Sequence, residues 1–273
     1  MAGRSGGDWH SLCALGVVLL VACFSGFAEE ADAKPAGDAA LLCEKQTFRH
    51  VDYDVVRVDL QQADLRLFWK DSAGEPIKNF RRLQNHLKTQ GLRALFAINS
   101  GIYARDHTPL GLHVENGQEL EPLNRKRGGG NFFLKPNGVF YIDAAGGHIA
   151  ETEAFAGKAP EVRLAVQSGP LLLDRGKIHP VFEPESDSRH IRNGVGIVND
   201  HTIIFAITHF PVNLYDFASF FKEAAACSDA LYLDGAISGM FAPGCGRNDT
   251  GAEYVGMLAI VEPAAGVEDH GEE

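Results

Sequence analysis

Between residues 110 and 207 the chain repeatedly sets turn-forming residues between apolar runs: Asn116-Gly117, Pro136-Asn137-Gly138, Arg175-Gly176 and Asn199-Asp200. Asn and Gly reach the positive φ values that tight hairpin turns require, so each such turn between apolar segments predicts a hairpin. A succession of hairpins builds antiparallel sheet. The pattern argues against a doubly wound parallel sheet, whose strands must alternate with helices. No self-similar period of roughly 20 to 50 residues marks a solenoid either.

The flanking segments complete the expectation. Residues 51–60 and 65–69 alternate or run apolar through Val56, Val58, Leu60, Leu65, Leu67 and Trp69, which predicts an early hairpin. Pro76 is expected to open a helix whose Ile77, Phe80, Leu83 and Leu87 recur at helical intervals, with Gly91 as the stop. A buried strand at 92–98 follows. Asn213, with Asp216 three positions on, reads as the cap of a second helix that buries Leu214, Phe217, Phe220, Phe221 and Ala224. Short strands at 230–233 and 254–261 close the body. The fold class expected is α+β: a mixed, mainly antiparallel sheet built from hairpins, with a few flanking helices.

With 273 residues, 45% of them hydrophobic and 22% charged, the chain can bury one large core and is neither disordered throughout nor a polytopic membrane protein. Arg4 precedes an apolar run at 12–24, and Gly26 and Ala28 stand at the spacing of a signal-peptidase site, so residues 1–28 read as a signal peptide. The run is shorter than the about 20 residues a spanning helix needs. Leu20-Val21-Ala22-Cys23 resembles a bacterial lipobox, which gives an alternative: a lipoprotein anchored to the membrane through Cys23. Either reading places the protein outside the cytoplasm, periplasmic or secreted. Residues 29–42 read as a flexible linker, 43–262 as the folded domain and 263–273 as an acidic flexible tail.

Much of the net charge of −11 lies in those flanks, in Glu29, Glu30, Asp32, Asp38, Glu268, Asp269, Glu272 and Glu273. The mildly acidic body argues against nucleic acid as a partner. Removal of the leader leaves Cys43, Cys227 and Cys245, an odd number that allows one bridge at most. The bridge expected joins Cys43, at the start of the body, to Cys227 at a helix end; buried free thiols are the other reading.

Three segments place polar residues and glycines directly after buried apolar runs, where strand ends face a crevice: Asn99-Ser100-Gly101, Gln167-Ser168-Gly169-Pro170 and Asp234-Gly235-Ala236-Ile237-Ser238. Each could instead satisfy turn backbone. A fourth cluster, Ser188-Arg189-His190-Ile191-Arg192-Asn193-Gly194, sets two guanidinium groups before a strand of small residues, an arrangement suited to an anion. Metal and nucleophile templates are absent, and Gly128-Gly129-Gly130-Asn131 fails as a nucleotide fingerprint because a strand follows it.

Taken in order, Asn99-Ser100-Gly101, Pro109-Leu110-Gly111-Leu112, Gly130-Asn131-Phe132-Phe133, Pro136-Asn137-Gly138-Val139-Phe140, Gln167-Ser168-Gly169-Pro170, Arg192-Asn193-Gly194-Val195-Gly196, Asp216-Phe217-Ala218 and Leu231-Tyr232-Leu233-Asp234-Gly235 with Ser238 resemble the phosphodiester glycosidase family. The resemblance spans roughly residues 43 to 261 and is closest to the bacterial single-domain members. Ser100 and Ala236 depart from it, standing where many relatives carry Gly, and each adds a side chain at the lip of the expected site, where it bears on substrate choice.

The resemblance implies hydrolysis of the sugar C1–O bond of a sugar-1-phosphodiester, from an envelope or exopolysaccharide-related substrate. Within it Asp234 is the expected catalytic carboxylate, with Glu115 as a weaker rival. Arg189 and Arg192 are the expected phosphate clamp. Asn99, Asn131, Gln167 and Ser238 are expected to orient the sugar, with Ser168 and Gly235 in the binding set. No cofactor is expected, although a divalent cation bridging Asp234 and phosphate is compatible with the set. The competing reading is a non-catalytic glycan-binding module of an envelope polysaccharide pathway, which needs no tuned carboxylate.

Overall fold

The computed structural model describes residues 40–158 and 160–264; the leader, residues 29–39 of the linker and the tail from 265 lie outside the described residues. In chain order come strands β1 (Leu41–Phe48), β2 (Val51–Asp59) and β3 (Asp64–Phe68), helix α1 (Phe80–Lys88), and strands β4 (Leu92–Ser100), β5 (His113–Glu115) and β6 (Gln118–Glu121). A 3-10 turn at Asn131–Phe133 leads to β7 (Gly138–Asp143), β8 (Gly146–Glu151) and helix α2 (Thr152–Lys158). Then follow β9 (Leu164–Ser168), β10 (Leu171–Asp174), β11 (Lys177–Ile178), β12 (Asn193–Asn199) and β13 (Thr202–Thr208). Helix α3 (Leu214–Ser219) runs into a π-helical turn (Phe220–Ala224), before β14 (Asp229–Asp234), β15 (Met240–Ala242), β16 (Arg247–Asn248) and β17 (Gly256–Pro263).

The strands form three sheets: β1-β2-β13-β12-β14-β10-β11, β16-β15-β4-β17-β3 and β6-β5-β9-β7-β8. Every strand pairing among the described residues is antiparallel, so the expected mainly antiparallel architecture holds and its mixed component does not. Period-two alternation explains the layering. In β14, Leu231 and Leu233 enter a central core with Val56, Phe96, Phe140, Phe205 and Leu258, fed by all three sheets. Ala230 and Tyr232 of the same strand face the other way, onto Phe217, Phe220 and Phe221. Helix α1 covers the second sheet through Phe80, Leu83 and Leu87 packed on Ala97, Met257 and Ala259, and Phe155 of α2 packs on the third with Val114 and Val139.

Four local expectations change. Residues 51–60 and 65–69 do not pair: β2 joins the first sheet beside β13, β3 joins the second beside β17, and the chain turns sharply at Asp59, whose carbonyl accepts from the amides of Gln62 and Ala63. The first helix starts at Phe80 rather than Pro76, because Lys78 has φ 68° and Asn79 then caps by accepting from the Arg82 amide. Pro136-Asn137-Gly138 links the 3-10 turn to β7 instead of closing a hairpin, whereas Asn116-Gly117 and Arg175-Gly176, all at positive φ, do close hairpins. Strand β1 begins at Leu41, inside the expected linker.

The cysteine expectation is also corrected: Cys43 bonds Cys245, and Cys227 is a buried free thiol. Cys227 lies on the helix side of the first sheet against Phe221, while Cys43 and Cys245 border the central core. The bridge closes a span of 202 positions and ties the edge strand β1 to the segment between β15 and β16. Replacing both Cys43 and Cys245 with Ser should therefore lower the unfolding free energy by about 2–5 kcal/mol, read by denaturant titration.

Candidate functional site

The site forms where strand ends from all three sheets meet. Asp234 ends β14 and faces Asn193 at the start of β12 in the ladder; Asn99 lies near the end of β4 in the second sheet; Ser168 ends β9 in the third. Ser168 donates from Oγ to the Leu233 carbonyl at 3.0 Å, which fixes the third sheet to β14 one residue before the carboxylate.

Two buried amides join the other sheets. Asn193 Nδ2 donates to Asn99 Oδ1 at 2.7 Å and to the Asn99 carbonyl at 3.0 Å, while Asn193 Oδ1 accepts from the Asp234 amide at 2.9 Å. Asn99 Oδ1 also accepts from the Gly239 amide at 2.8 Å, and Asn99 Nδ2 donates to Asp234 Oδ2 at 3.4 Å. Ser238 Oγ donates to the Asp234 carbonyl at 2.6 Å and to the Ile191 carbonyl at 3.1 Å, closing the loop that follows Asp234. Asn193 was passed over as a site residue in the sequence. It stands at the start of a buried strand, before Gly194, whereas the signal that picks out Asn99 and Asp234 is a polar residue at a strand's end.

Asp234 is 5% exposed. Its Oδ1 accepts from the Ala236 amide at 2.9 Å, and no cation lies within ion-pair distance among the described residues. Burial raises its pKa above the ordinary carboxylate value, against the opposing pull of the Ala236, Gly235 and Ile237 amides. The Tyr103 and Tyr254 hydroxyls sense its charge: burial raises both pKa values, Tyr254 to about 12, and Asp234 contributes to each. Neither tyrosine stands out in the sequence: Tyr103 follows the Asn99-Ser100-Gly101 motif, and Tyr254 opens the strand expected at 254–261. Tyr254 packs against Gly239, where a Cβ would come within 2.0 Å of the hydroxyl.

Arg192 is in place but is not a solvent-facing clamp. It is wholly buried, and its Nε, Nη1 and Nη2 donate to the Val212 carbonyl, the Tyr232 hydroxyl and the Ser188 carbonyl, each at 2.7 Å. The guanidinium is thus held by neutral acceptors, and burial lowers its pKa. Tyr232 Oη lies over Gly235, where a Cβ would come within 1.4 Å of it, so only glycine fits between the phenol and Asp234. Burial raises the Tyr232 pKa to about 12, and the neighbouring Arg192 and Asn131 side chains oppose that rise.

Two expected residues lie elsewhere, and Ser168 stays at the join between β9 and β14. Arg189 is exposed and pairs with Asp216 at 3.7 Å, in a surface group with Arg49 and Glu223. Gln167 spends its side-chain amide on the 124 segment: Oε1 accepts from the amides of Leu112 and Asn124, and Nε2 donates to the Asn124 carbonyl and to Thr152 Oγ1. Ser168 is buried on the Leu233 carbonyl. The rival carboxylate Glu115 sits in the third sheet with His113 Nε2 at 2.7 Å. Among the described residues no three His, Cys, Asp or Glu side chains gather into a metal-binding group.

Comparison with known proteins agrees with the sequence motifs. A family model described as phosphodiester glycosidase matches residues 93–260, more than half of the chain. The uncharacterized protein YigE of Escherichia coli (strain K12) is 38% identical over 187 residues, covering 68% of this chain and 73% of that protein. Among solved structures, the catalytic domain of zebrafish N-acetylglucosamine-1-phosphodiester alpha-N-acetylglucosaminidase, auto-inhibited by its pro-peptide, superposes with a TM-score of 0.55 at 15% identity, covering 81% of each chain. A hypothetical protein from Synechocystis gives 0.52 at 14% identity, covering 82% of this chain and 62% of that one. These two structural matches share the fold. The family match and the 38% identical relative, with the strand-end motifs that build the Asp234 site, make this chain a member of the phosphodiester glycosidase family.

Proposed function

We propose that the protein is an exported hydrolase that cleaves the C1–O bond of a sugar-1-phosphodiester, releasing a free sugar and a phosphate monoester. The observation that carries this reading is the Asp234 carboxyl, buried without a cation partner among the described residues where the three sheets meet. A carboxylate whose pKa is raised is a better base and nucleophile than a solvated one.

In the reaction as proposed, an oxygen bonds to C1 as the C1–O electron pair departs with the phosphate. Asp234 either takes the proton of the attacking water or bonds to C1 itself, with water then releasing the sugar. The anomeric configuration of the freed sugar distinguishes these courses. A phosphate monoester has a second pKa near 6 and leaves as an anion, so a single carboxylate meets a demand for which ordinary glycosidic bonds require two. Asn99 donates to the carboxylate and Asn193 accepts from the Asp234 backbone amide, which together hold the residue in place. The Cys43–Cys245 bridge favours an oxidising compartment, in keeping with export.

Two outcomes test this reading. Because Asp234 has a raised pKa when folded, its stabilising share is full below the unfolded value of about 3.9 and is lost as pH rises through the folded value. Asp234→Asn should therefore melt no lower than wild type at neutral pH, while turnover of a soluble sugar-1-phosphodiester falls by about 10²–10⁴. Loss of less than about tenfold would remove Asp234 from the catalytic role, whereas wild type that binds the diester and turns none of it over would favour the glycan-binding module. Arg192→Lys, in contrast, strands buried acceptors and should lower stability by about 2–5 kcal/mol, read by chemical denaturation; an unchanged midpoint would remove Arg192 from the packed interior of the site.

A further inference from the structure

With Arg192 buried on neutral acceptors and Arg189 paired with Asp216, neither residue of the expected clamp is free to meet the phosphate. We propose that the basic, glycine-tipped loop 125–130 binds the phosphate of the substrate beside Asp234, a role that rests on the phosphodiesterase reading above.

Residues 125–130, Arg125-Lys126-Arg127-Gly128-Gly129-Gly130, are all exposed. Arg125 pairs with Glu153, while Lys126 and Arg127 have no carboxylate within ion-pair distance among the described residues. Two hydrated cations in a chain of net charge −11 create a local positive patch, which attracts an anion within a Debye length of about 10 Å.

The loop is anchored at both ends. Gln167 holds the amide and carbonyl of Asn124, and Asn124 Nδ2 donates to the Leu110 carbonyl at 2.6 Å. At the other end Gly128 rests on the Phe133 ring, where a Cβ would come within 2.7 Å. Between the anchors the backbone is open: nothing lies within 4 Å of a Cβ built on Gly129 or Gly130, and Gly130 takes φ 87°. Bare glycine backbone of this kind lets an oxyanion approach the amides without a side chain in the way. A cavity of about 220 Å³ adjoins Arg125 and Lys126, bordered by Pro109, Gly111 and Leu123 and, on its acidic side, by Glu121.

Position links the loop to the chemistry. The Phe132 and Asn131 carbonyls, directly after Gly130, lie 3.0 and 3.4 Å from a Cβ built on Gly169, whose neighbour Ser168 donates to the Leu233 carbonyl one residue before Asp234. The same geometry gives the Gln167 side chain a purpose: it fixes the root of the loop rather than touching sugar.

The test compares wild type, the double variant Lys126→Ala with Arg127→Ala, and Lys88→Ala as a distant charge control. Turnover of a soluble methyl diester of a sugar-1-phosphate is followed against salt, and calorimetric titration with methyl phosphate is run on the same proteins at low salt. The double variant should raise KM about tenfold with kcat changed much less, flatten the salt dependence, and weaken methyl phosphate binding by a similar factor, at an unchanged melting temperature. Equal KM and equal methyl phosphate affinity in variant and wild type, or no methyl phosphate binding by wild type, overturns the loop assignment whatever the turnover. Loop-dependent methyl phosphate binding without turnover of any diester leaves the loop assigned and overturns the hydrolase reading instead.

Discussion

The hydrogen bonds between the side chains of Asn99 and Asn193 are the interaction on which the site depends. Both residues are essentially inaccessible to water, so each amide must find its partners inside the protein. They do so by joining β4 of the second sheet to β12 of the first, with the Asp234 and Gly239 amides captured at the two ends of the following loop. Removing either amide would leave buried donors or acceptors without replacement, at a cost of about 1–3 kcal/mol for each group. The network therefore fixes one geometry for the carboxylate instead of several.

Around that network two opposite charges are kept apart by design of the packing. Arg192 lies within reach of Gly235, and Asp234 is the next residue, yet they form no ion pair. The guanidinium is satisfied by two carbonyls and a phenol, none of which cancels its charge. A direct pair would depress the Asp234 pKa; the intervening Tyr232 leaves the burial effect dominant and the carboxyl basic.

The strand-end motifs were legible in the sequence because a polar residue directly after a buried run either satisfies turn backbone or faces the crevice at the strand's end. The structure brings Asn99, Asp234 and Ser238 together, and the Asn213 cap heads its helix. Arg189 and Gln167 were not separable from site residues by pattern: their neighbours in sequence are the same, and only Asp216 and Asn124, distant along the chain, decide where their side chains go. The pairing of Cys43 failed for a related reason. Cys227 and Cys245 both follow apolar runs, but they occupy opposite faces of the first sheet, and sequence spacing carries no information about which face is shared. Likewise the turn at Asp59 looks like a hairpin locally and is a passage between sheets because β13 and β17 outcompete local pairing.

Strand β17 lies inside the second sheet, between β4 and the edge strand β3, although it comes last in the described chain. Until it has been made, β3 and β4 each have an unpaired edge, and the sheet that presents Asn99 cannot close. Assembly of the site is consequently a late event governed by contacts of high sequence separation, a topology that folds slowly and resists completion from the growing amino-terminal portion alone. A fragment ending before residue 256 would expose two hydrogen-bonding edges at once, which makes incomplete chains prone to edge-to-edge association.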